Sequence, residues 1–346
     1  MDYISNEPES LFCSTIIPTI GRPSLNTAVE SVLNQATVDG LNFEILVVND
    51  SSRELPEANW QRSERVTIIE TLRHERSVAR NAGAAIARGK YLHFLDDDDW
   101  LAPDALLNFW YLAAHSDVGW LYGTTQVVDR QLRPLLQLHH GIRGNGFLQT
   151  VAGEWIPLQA SLIKAELFFE LGGFNPLLTG PEDIDLLRRV TQRSDIDNTP
   201  ALVANVVMGE AGSTTDYVTH HIGSRWARDK LLDAKGAFSR LRDGAGTSFW
   251  HGRLLRIYLT STVWNLQHKR IFTALSRLLY GLASILLAGS RLLTIDFWRA
   301  VVKPYQSESF EMMTEHKPEG VVSISETESR PHHQNQYGDI IYNKRK

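Results

Sequence analysis

Four consecutive aspartates, Asp96 to Asp99, directly follow the apolar run Tyr91-Leu-His-Phe-Leu95 and directly precede Trp100. Adjacent carboxylates repel one another, so such a run is costly unless a cation sits among them. Hard oxygen donors suit Mg²⁺ or Mn²⁺, ions that in proteins usually also hold substrate phosphates. A solvated acidic turn is the plainer reading of a charge run, but the position of this one argues against it. Tyr91 to Leu95 is short, β-prone and opened by Arg88-Gly89-Lys90, so it reads as a buried strand. Carboxylates at the C-terminal end of such a strand project into the crevice where open α/β sheets bind ligands. Two more acidic positions share this kind of setting. Asp50 follows the apolar run Phe43 to Val48, and Glu182-Asp183 follows Gly180-Pro181 and opens a helical stretch.

The elements that must position these groups can be read from periodicity. Phe12 to Ile17 is strand-like and ends at Pro18. Pro23 opens a helix with Leu25, Val29, Val32 and Leu33 on one face. Phe43 to Val48, Val66 to Glu70 and Tyr91 to Leu95 are further strands, and Ser77 to Ala87 is a helix of small residues. Strands alternating with helices imply right-handed βαβ units and a mostly parallel sheet. Pro18, Asp50 and Asp96 to Asp99 then share one edge of that sheet. Val118 to Val128 reads as strand. Lys164 to Leu171 is a short helix closed by Gly172-Gly173, and the helix from Glu182 carries Ile184, Leu187 and Val190 on one face. No internal repeat is apparent.

The 346 residues, 43% hydrophobic and 22% charged, fit one large globular domain or two smaller ones. The single cysteine, Cys13, excludes an intrachain disulfide and a cysteine-rich metal site, and fits a reducing compartment. The polar, acidic N-terminus does not read as a secretory signal, so the catalytic part is expected to face the cytosol. Residues 1–249 carry 22 Lys+Arg and 32 Asp+Glu, whereas residues 250–305 carry 8 basic residues and one acid, Asp296. An acidic globular part with a basic, apolar appendix argues against nucleic acid and for an anionic membrane surface. Ile271, Leu275, Leu278, Leu282, Ile285 and Leu292 form a stripe, widened by Leu279, Leu286 and Leu293 and flanked by Lys269, Arg270, Arg277, Arg291 and Arg299. The longest uncharged run there, Leu278 to Ser290, is shorter than the roughly 20 residues of a spanning helix. The pattern is that of an interfacial amphipathic helix; a helical lid packed on the domain, or a dimer seam, would use the same stripe. The expected division is 1–225, a catalytic domain; 226–305, a basic amphipathic helical region; and 306–346, a disordered polar tail.

The quoted chemistry sits within a longer set of motifs. These are Ser14-Thr-Ile-Ile-Pro-Thr-Ile-Gly-Arg-Pro-Ser24, Glu44-Ile-Leu-Val-Val-Asn-Asp-Ser-Ser52, Ala79-Arg-Asn-Ala-Gly83, Phe94-Leu-Asp-Asp-Asp-Asp-Trp100, Gly172-Gly-Phe174 and Glu182-Asp183. In order and spacing, over about residues 12–215, this set resembles the family 2 glycosyltransferases, which have the GT-A fold: a mostly parallel, Rossmann-like sheet flanked by helices. The resemblance implies transfer of a sugar from a nucleotide diphosphate sugar, UDP-linked by first expectation, to a saccharide or lipid-linked acceptor hydroxyl. It implies inversion at the anomeric carbon and a role in polysaccharide or glycolipid synthesis. It places the metal, Mn²⁺ or Mg²⁺, on Asp98 and Asp96, with Asp96 or Asp97 facing the ribose or a metal-bound water, and leaves Asp99 to cap the turn before Pro103. It places Asp50 at the base, where a carboxylate accepts the N3–H of uracil but finds no equivalent proton on adenine or cytosine. Pro18, Thr19 and Arg80 would lie near the nucleotide.

The same resemblance makes Asp183 the catalytic base, with Glu182 orienting it or binding the acceptor; simple capping of a helix N-terminus would also favour acids there. One departure stands out. Family members often carry a histidine after this helix, and Glu210 occupies its place, with His220 and His221 nearby. The Met208 to Asp216 loop reads as a mobile lid. Two other readings compete: a catalytically silent GT-A domain serving as a sugar-nucleotide-binding scaffold, and a nucleotidyltransferase, for which Gly21-Arg22-Pro23 is a poor phosphate loop. Donor-sugar contacts are expected from loops such as Glu154 to Gln159.

Overall fold

The computed structural model describes residues 11–72, 75–178, 180–208 and 217–303, with the side chains of residues 217–222 outside that description. The chain begins with β1 (Cys13–Thr19), α1 (Leu25–Leu33), β2 (Phe43–Asn49), β3 (Val66–Glu70), α2 (Arg76–Ile86) and β4 (Tyr91–Phe94). β1, β2 and β4 are buried nearly throughout. That is why they read as continuous apolar runs instead of alternating ones. The four strands lie in the order β3-β2-β1-β4, all parallel, with Thr19 opposite Asn49 and Ile16 opposite Phe94. Because they run the same way, Thr19, Asp50 and the aspartate run all emerge at one sheet edge.

The next elements are β5 (Trp100–Leu101), α3 (Ala105–His115), β6 (Trp120–Val128), β7 (Pro134–Leu138), α4 (Phe147–Ala152), β8 (Ser161–Lys164), α5 (Ala165–Glu170), α6 (Glu182–Arg193) and β9 (Ile196–Val207). They extend the sheet in mixed fashion. β8 lies antiparallel between β4 and β6, β9 runs parallel to β6, and β5 pairs antiparallel with the end of β9. β8 and β9 are not legible as strands in the sequence. β8 is only four residues long, and β9 passes through Pro200 with register shifts against β6. Two apolar cores fill the two faces of the sheet, one against α1 and α3 and the other against α2, α5 and α6.

The break before β4 has a tight physical cause. Gly89 N–H donates to Ser14 Oγ (2.8 Å), Ser14 Oγ donates to Glu44 (2.7 Å), and Arg88 closes on the same carboxylate at 2.6 Å. A Cβ on residue 89 would fall 2.4 Å from the Ser14 backbone nitrogen. The chain can pass here only without a side chain.

The remaining described elements are helical: α7 (Tyr217–Leu231), α8 (Ala237–Asp243), α9 (Ser248–Gln267), α10 (Ile271–Ala288) and α11 (Ile295–Val302). α8 and α9 share an apolar core with α4 through Phe147, Leu148, Leu241, Leu254 and Tyr258. α10 is arranged unusually. The residues it buries are Ala274, Arg277, Gly281, Ser284 and Ala288. Much of the expected leucine stripe faces outward, with Leu279 66%, Leu286 83% and Leu293, just beyond the helix, 89% exposed. Residues 306–346, expected to be a disordered tail, lie outside the described residues.

Replacing Gly89 by alanine is expected to lower stability by about 1–3 kcal/mol, the usual range for overpacking a close approach. The check is a fall in the urea midpoint with an unchanged slope.

Candidate active site

The aspartate run leaves β4 in a turn closed by Asp99 N–H donating to the Asp96 carbonyl (3.1 Å). The four side chains then part. Asp96 accepts from buried Arg80 (2.6 Å) and from Gln159 Nε2 (2.9 Å). Asp97 turns back to Thr19 Oγ1 (2.6 Å) and Arg22 (2.7 Å). Asp98 is exposed and touches Arg22 at 3.1 Å. Asp99 is buried and accepts the backbone N–H of Val207 (2.8 Å), tying the run to the end of β9. Oxygens of Asp96, Asp98 and Asp99 lie within 4.8 Å of one another. This all-oxygen donor set fits a hard divalent cation. Asp99, expected to cap the turn before Pro103, joins that cluster instead, while Asp97 is committed to Thr19 and Arg22.

The carboxyls of the run differ in their electrostatic setting. Burial pushes Asp96 upward, but Arg80 and Arg76, with hydrogen bonds from Arg80 and Gln159, hold it below the usual carboxylate range. Burial and repulsion from Asp96 leave Asp98 raised, with Arg22 only partly offsetting them. Burial, then Asp96 and Asp98, push Asp99 well above the usual value. For Asp98 and Asp99, burial is the larger cause and repulsion within the run adds to it, whereas Asp96 is compensated by its arginines.

Arg80 is the hinge of the arrangement. It is 3% exposed and donates to Asp96 on one side and to Glu182 Oε1 (3.1 Å) on the other, with its guanidinium 5.3 Å from the centre of the Phe174 ring. The sequence places Arg80 at the nucleotide, or else on the surface. In the fold it is buried and shared between two carboxylates. Its neighbour Asn81 exchanges two hydrogen bonds with the Phe174 backbone, 2.8 and 2.9 Å. Gly173 is needed at this point, since it has φ +68° and a Cβ there would meet Asn81 Oδ1 at 2.7 Å. The Ala-Arg-Asn and Gly-Gly-Phe motifs are thus two halves of one clamp, which sets the start of α6 beside Arg80.

Glu182 and Asp183 occupy the first turn of α6. Glu182 is buried; Oε1 meets Arg80 and Arg76, and Oε2 has no hydrogen-bond partner among the described residues. Asp183 accepts the Ile184 N–H (2.7 Å) and, more loosely, the indole N–H of Trp155 (3.3 Å). Burial, then repulsion from Glu182, raise its carboxyl to about 6 despite Ile184, Arg80 and Trp155. A carboxyl that loses its proton near 6 is available as a base at neutral pH.

Asp50 is buried and accepts from Thr71 Oγ1 (2.7 Å) and from the Glu75 N–H (2.7 Å). Glu75 in turn caps α2 through the Ser77 and Val78 N–H groups. Asp50 therefore also sets where α2 begins. Pro18 and Thr19 stand at the end of β1, and Thr19 holds Asp97 by its hydroxyl. Glu210 and the loop at residues 209–216 lie outside the described residues, as do the side chains of His220 and His221. Three contributors escaped the sequence reading as individuals: Arg22, Gln159 and Trp155. The last two lie in the Glu154 to Gln159 loop, where only a general donor-sugar role was legible.

Residues 14–165 match the model of the family described as glycosyl transferase family 2. A Haemophilus influenzae uncharacterized glycosyltransferase is 29% identical over 196 residues, 52% of this chain and 62% of that protein. The Bacillus subtilis protein EpsH is 36% identical over 84 residues, 23% of this chain and 24% of that protein. The chain therefore spans less than two thirds of the length of either relative. Among solved structures, TarS 1-349 of S. aureus, in complex with UDP-GlcNAc, superposes with a TM-score of 0.57 at 12% identity, covering 76% of this chain and 89% of that one. With the strand-end aspartates and the acidic helix start in place, residues 14–165 are similar to glycosyl transferase family 2, and the chain has the GT-A fold.

Removing Arg80 while keeping its bulk, as in Arg80→Met, leaves buried Glu182 with only the longer Arg76 contact and half-buried Asp96 with Gln159. A destabilisation of about 3–5 kcal/mol is expected, read by chemical denaturation.

Proposed function

We propose that the protein transfers a sugar from a UDP-sugar to an acceptor hydroxyl with inversion at the anomeric carbon. The observation that carries this reading is the Asp96–Arg80–Glu182 bridge, which ties the carboxylate cluster at the sheet edge to the start of α6, where the base candidate Asp183 lies. The acceptor oxygen forms the new bond to the anomeric carbon as the bond from that carbon to the diphosphate oxygen breaks. UDP leaves, and the acceptor proton passes to Asp183. Glu182, held by Arg80 and Arg76, orients its neighbour Asp183, to which the Trp155 indole also donates. Asp96, Asp98 and Asp99 would hold Mn²⁺ or Mg²⁺, which when bound neutralises the departing diphosphate. Asp50, at the end of β2, supports the choice of uracil, as does the UDP-GlcNAc held by the TarS neighbour. The acceptor is proposed to be a saccharide or lipid-linked hydroxyl in polysaccharide or glycolipid synthesis, reached from the cytosolic face of a membrane contacted through residues 250–303.

One observation favours a catalytically silent scaffold. Arg22 already places a positive charge against Asp97 and Asp98. The two readings part on turnover. Mn²⁺-stimulated UDP-sugar hydrolysis is expected in the wild type, abolished in Asp98→Ala and reduced roughly 10²- to 10⁴-fold in Asp183→Asn, the span of general-base contributions. Tight, metal-dependent UDP binding with no turnover on any acceptor would establish the scaffold.

The pH profile is a separate check. Asp183 must be ionised to take a proton, and its carboxyl is raised to about 6. Activity should therefore fall as pH drops through about 6. In Trp155→Phe, which removes a hydrogen bond favouring the charged form, that limb should move to higher pH.

A further inference from the structure

α10 is built inside out. A helix at the edge of a water-soluble domain normally buries its large apolar residues. Here the inward arc is Ala274, Arg277, Gly281, Ser284 and Ala288, and the outward arc carries Phe272, Leu275, Leu279, Leu282 and Leu286. Rotation to hide the leucines is blocked by a polar lock. Arg277, 2% exposed, meets Asp233 (2.5 Å) and donates to the carbonyls of Asp229 (3.1 Å) and Leu232 (3.2 Å) and to Ser261 Oγ (3.2 Å). Asp229 also takes Asn265 (2.9 Å) and Arg270 (3.1 Å). Withdrawing Arg277 would strand a buried charge, so the leucines are held outward.

The apolar surface continues past the helix. An open groove of about 540 Å³ is lined by residues that include Leu292, Leu293, Ile295, Trp298, Arg299 and Lys303. Exposed Lys269, Arg291 and Lys303 flank the outward face, and Asp296 is the one acid in residues 250–303. We infer that this face lies flat in the interfacial layer of an anionic lipid membrane, with α10 parallel to the surface and Arg277 locked to the protein beneath it. The inference rests on the membrane contact proposed above and gives it a face, a depth and a mode.

Two alternatives are physically distinct. Ile271–Leu293 is long and apolar enough by composition to cross a bilayer. Crossing would strip Arg277 from Asp233 and carry its charge into hydrocarbon, whereas lying flat keeps the lock closed. A coiled-coil pairing with a second copy would use a narrow seam bordered by charges at the flanking positions. The outward arc of α10 covers about half the helix, and its only charged residue, Arg277, points inward.

The test uses the full chain with vesicles of phosphatidylcholine, with and without phosphatidylglycerol. Flotation with the anionic vesicles is expected, weakened by salt, together with release from them by alkaline carbonate. The double variant Leu279→Glu, Leu286→Glu leaves the lock untouched. It should lose roughly tenfold or more in partitioning while keeping its UDP-sugar hydrolysis and its thermal midpoint. If the wild type does not float, the membrane contact itself fails. Flotation that is unchanged in the double variant would place that contact elsewhere and overturn the assignment to α10. Retention through carbonate overturns the flat orientation in favour of crossing. If light scattering without lipid shows a dimer that the double variant dissociates, and no flotation occurs, the face is an interface between copies.

Discussion

A guanidinium withdrawn from water between two carboxylates is the constraint on which this molecule turns. Arg80 cannot be left in the core uncompensated, and it is the nearer cation of buried Glu182 and the ion-pair partner of half-buried Asp96. The three groups therefore hold one another in place. Through them, the end of β4 and the start of α6 are held at a fixed separation. Asn81, the next residue, fastens the Gly173-Phe174 turn by backbone hydrogen bonds. The turn of the chain that delivers Asp183 is thereby set by two adjacent residues of a single helix. Asp50 and Glu75 fix where that helix begins, so the constraint reaches back to the end of β2.

Much of this was legible in the sequence because it depends on local pattern. Parallel strands buried on both faces announce themselves as apolar runs, and β1, β2, β3 and β4 were readable within a residue or two. The edge on which Asp50 and Asp96 to Asp99 gather follows from parallel alternation alone. What was not legible depends on contacts between distant segments. β8 is too short to show a period, and β9 contains a proline that argues against a strand. Arg80 lies among small residues on an amphipathic helix, and nothing local shows that its charge turns inward. Gln159 and Trp155 acquire meaning only once β8 is seen to run beside β4.

The C-terminal helices reverse the usual reading of an apolar stripe. The stripe in α10 was legible, but which side of it faces the protein was not. Periodicity reports that a helix has two unlike faces and is silent on which one the fold has claimed. Here the decision lies with Arg277 and its partners Asp229 and Asp233. Those acids sit in α7 and just beyond it, in a stretch that carries no periodic signal of its own.

The bridge through Arg80 also orders events in time. Arg80 and Asp96 are 16 residues apart, whereas Arg80 and Glu182 are separated by 102. The short loop closes early and at small entropic cost, while the long one waits until β6, β8 and α6 have assembled. The partner that completes the site then comes from the half made later. The carboxylate side of the arrangement is thus a template on which the α6 side is laid down, and an arrested or truncated chain ending before Glu182 would carry the carboxylate cluster without the base candidate Asp183.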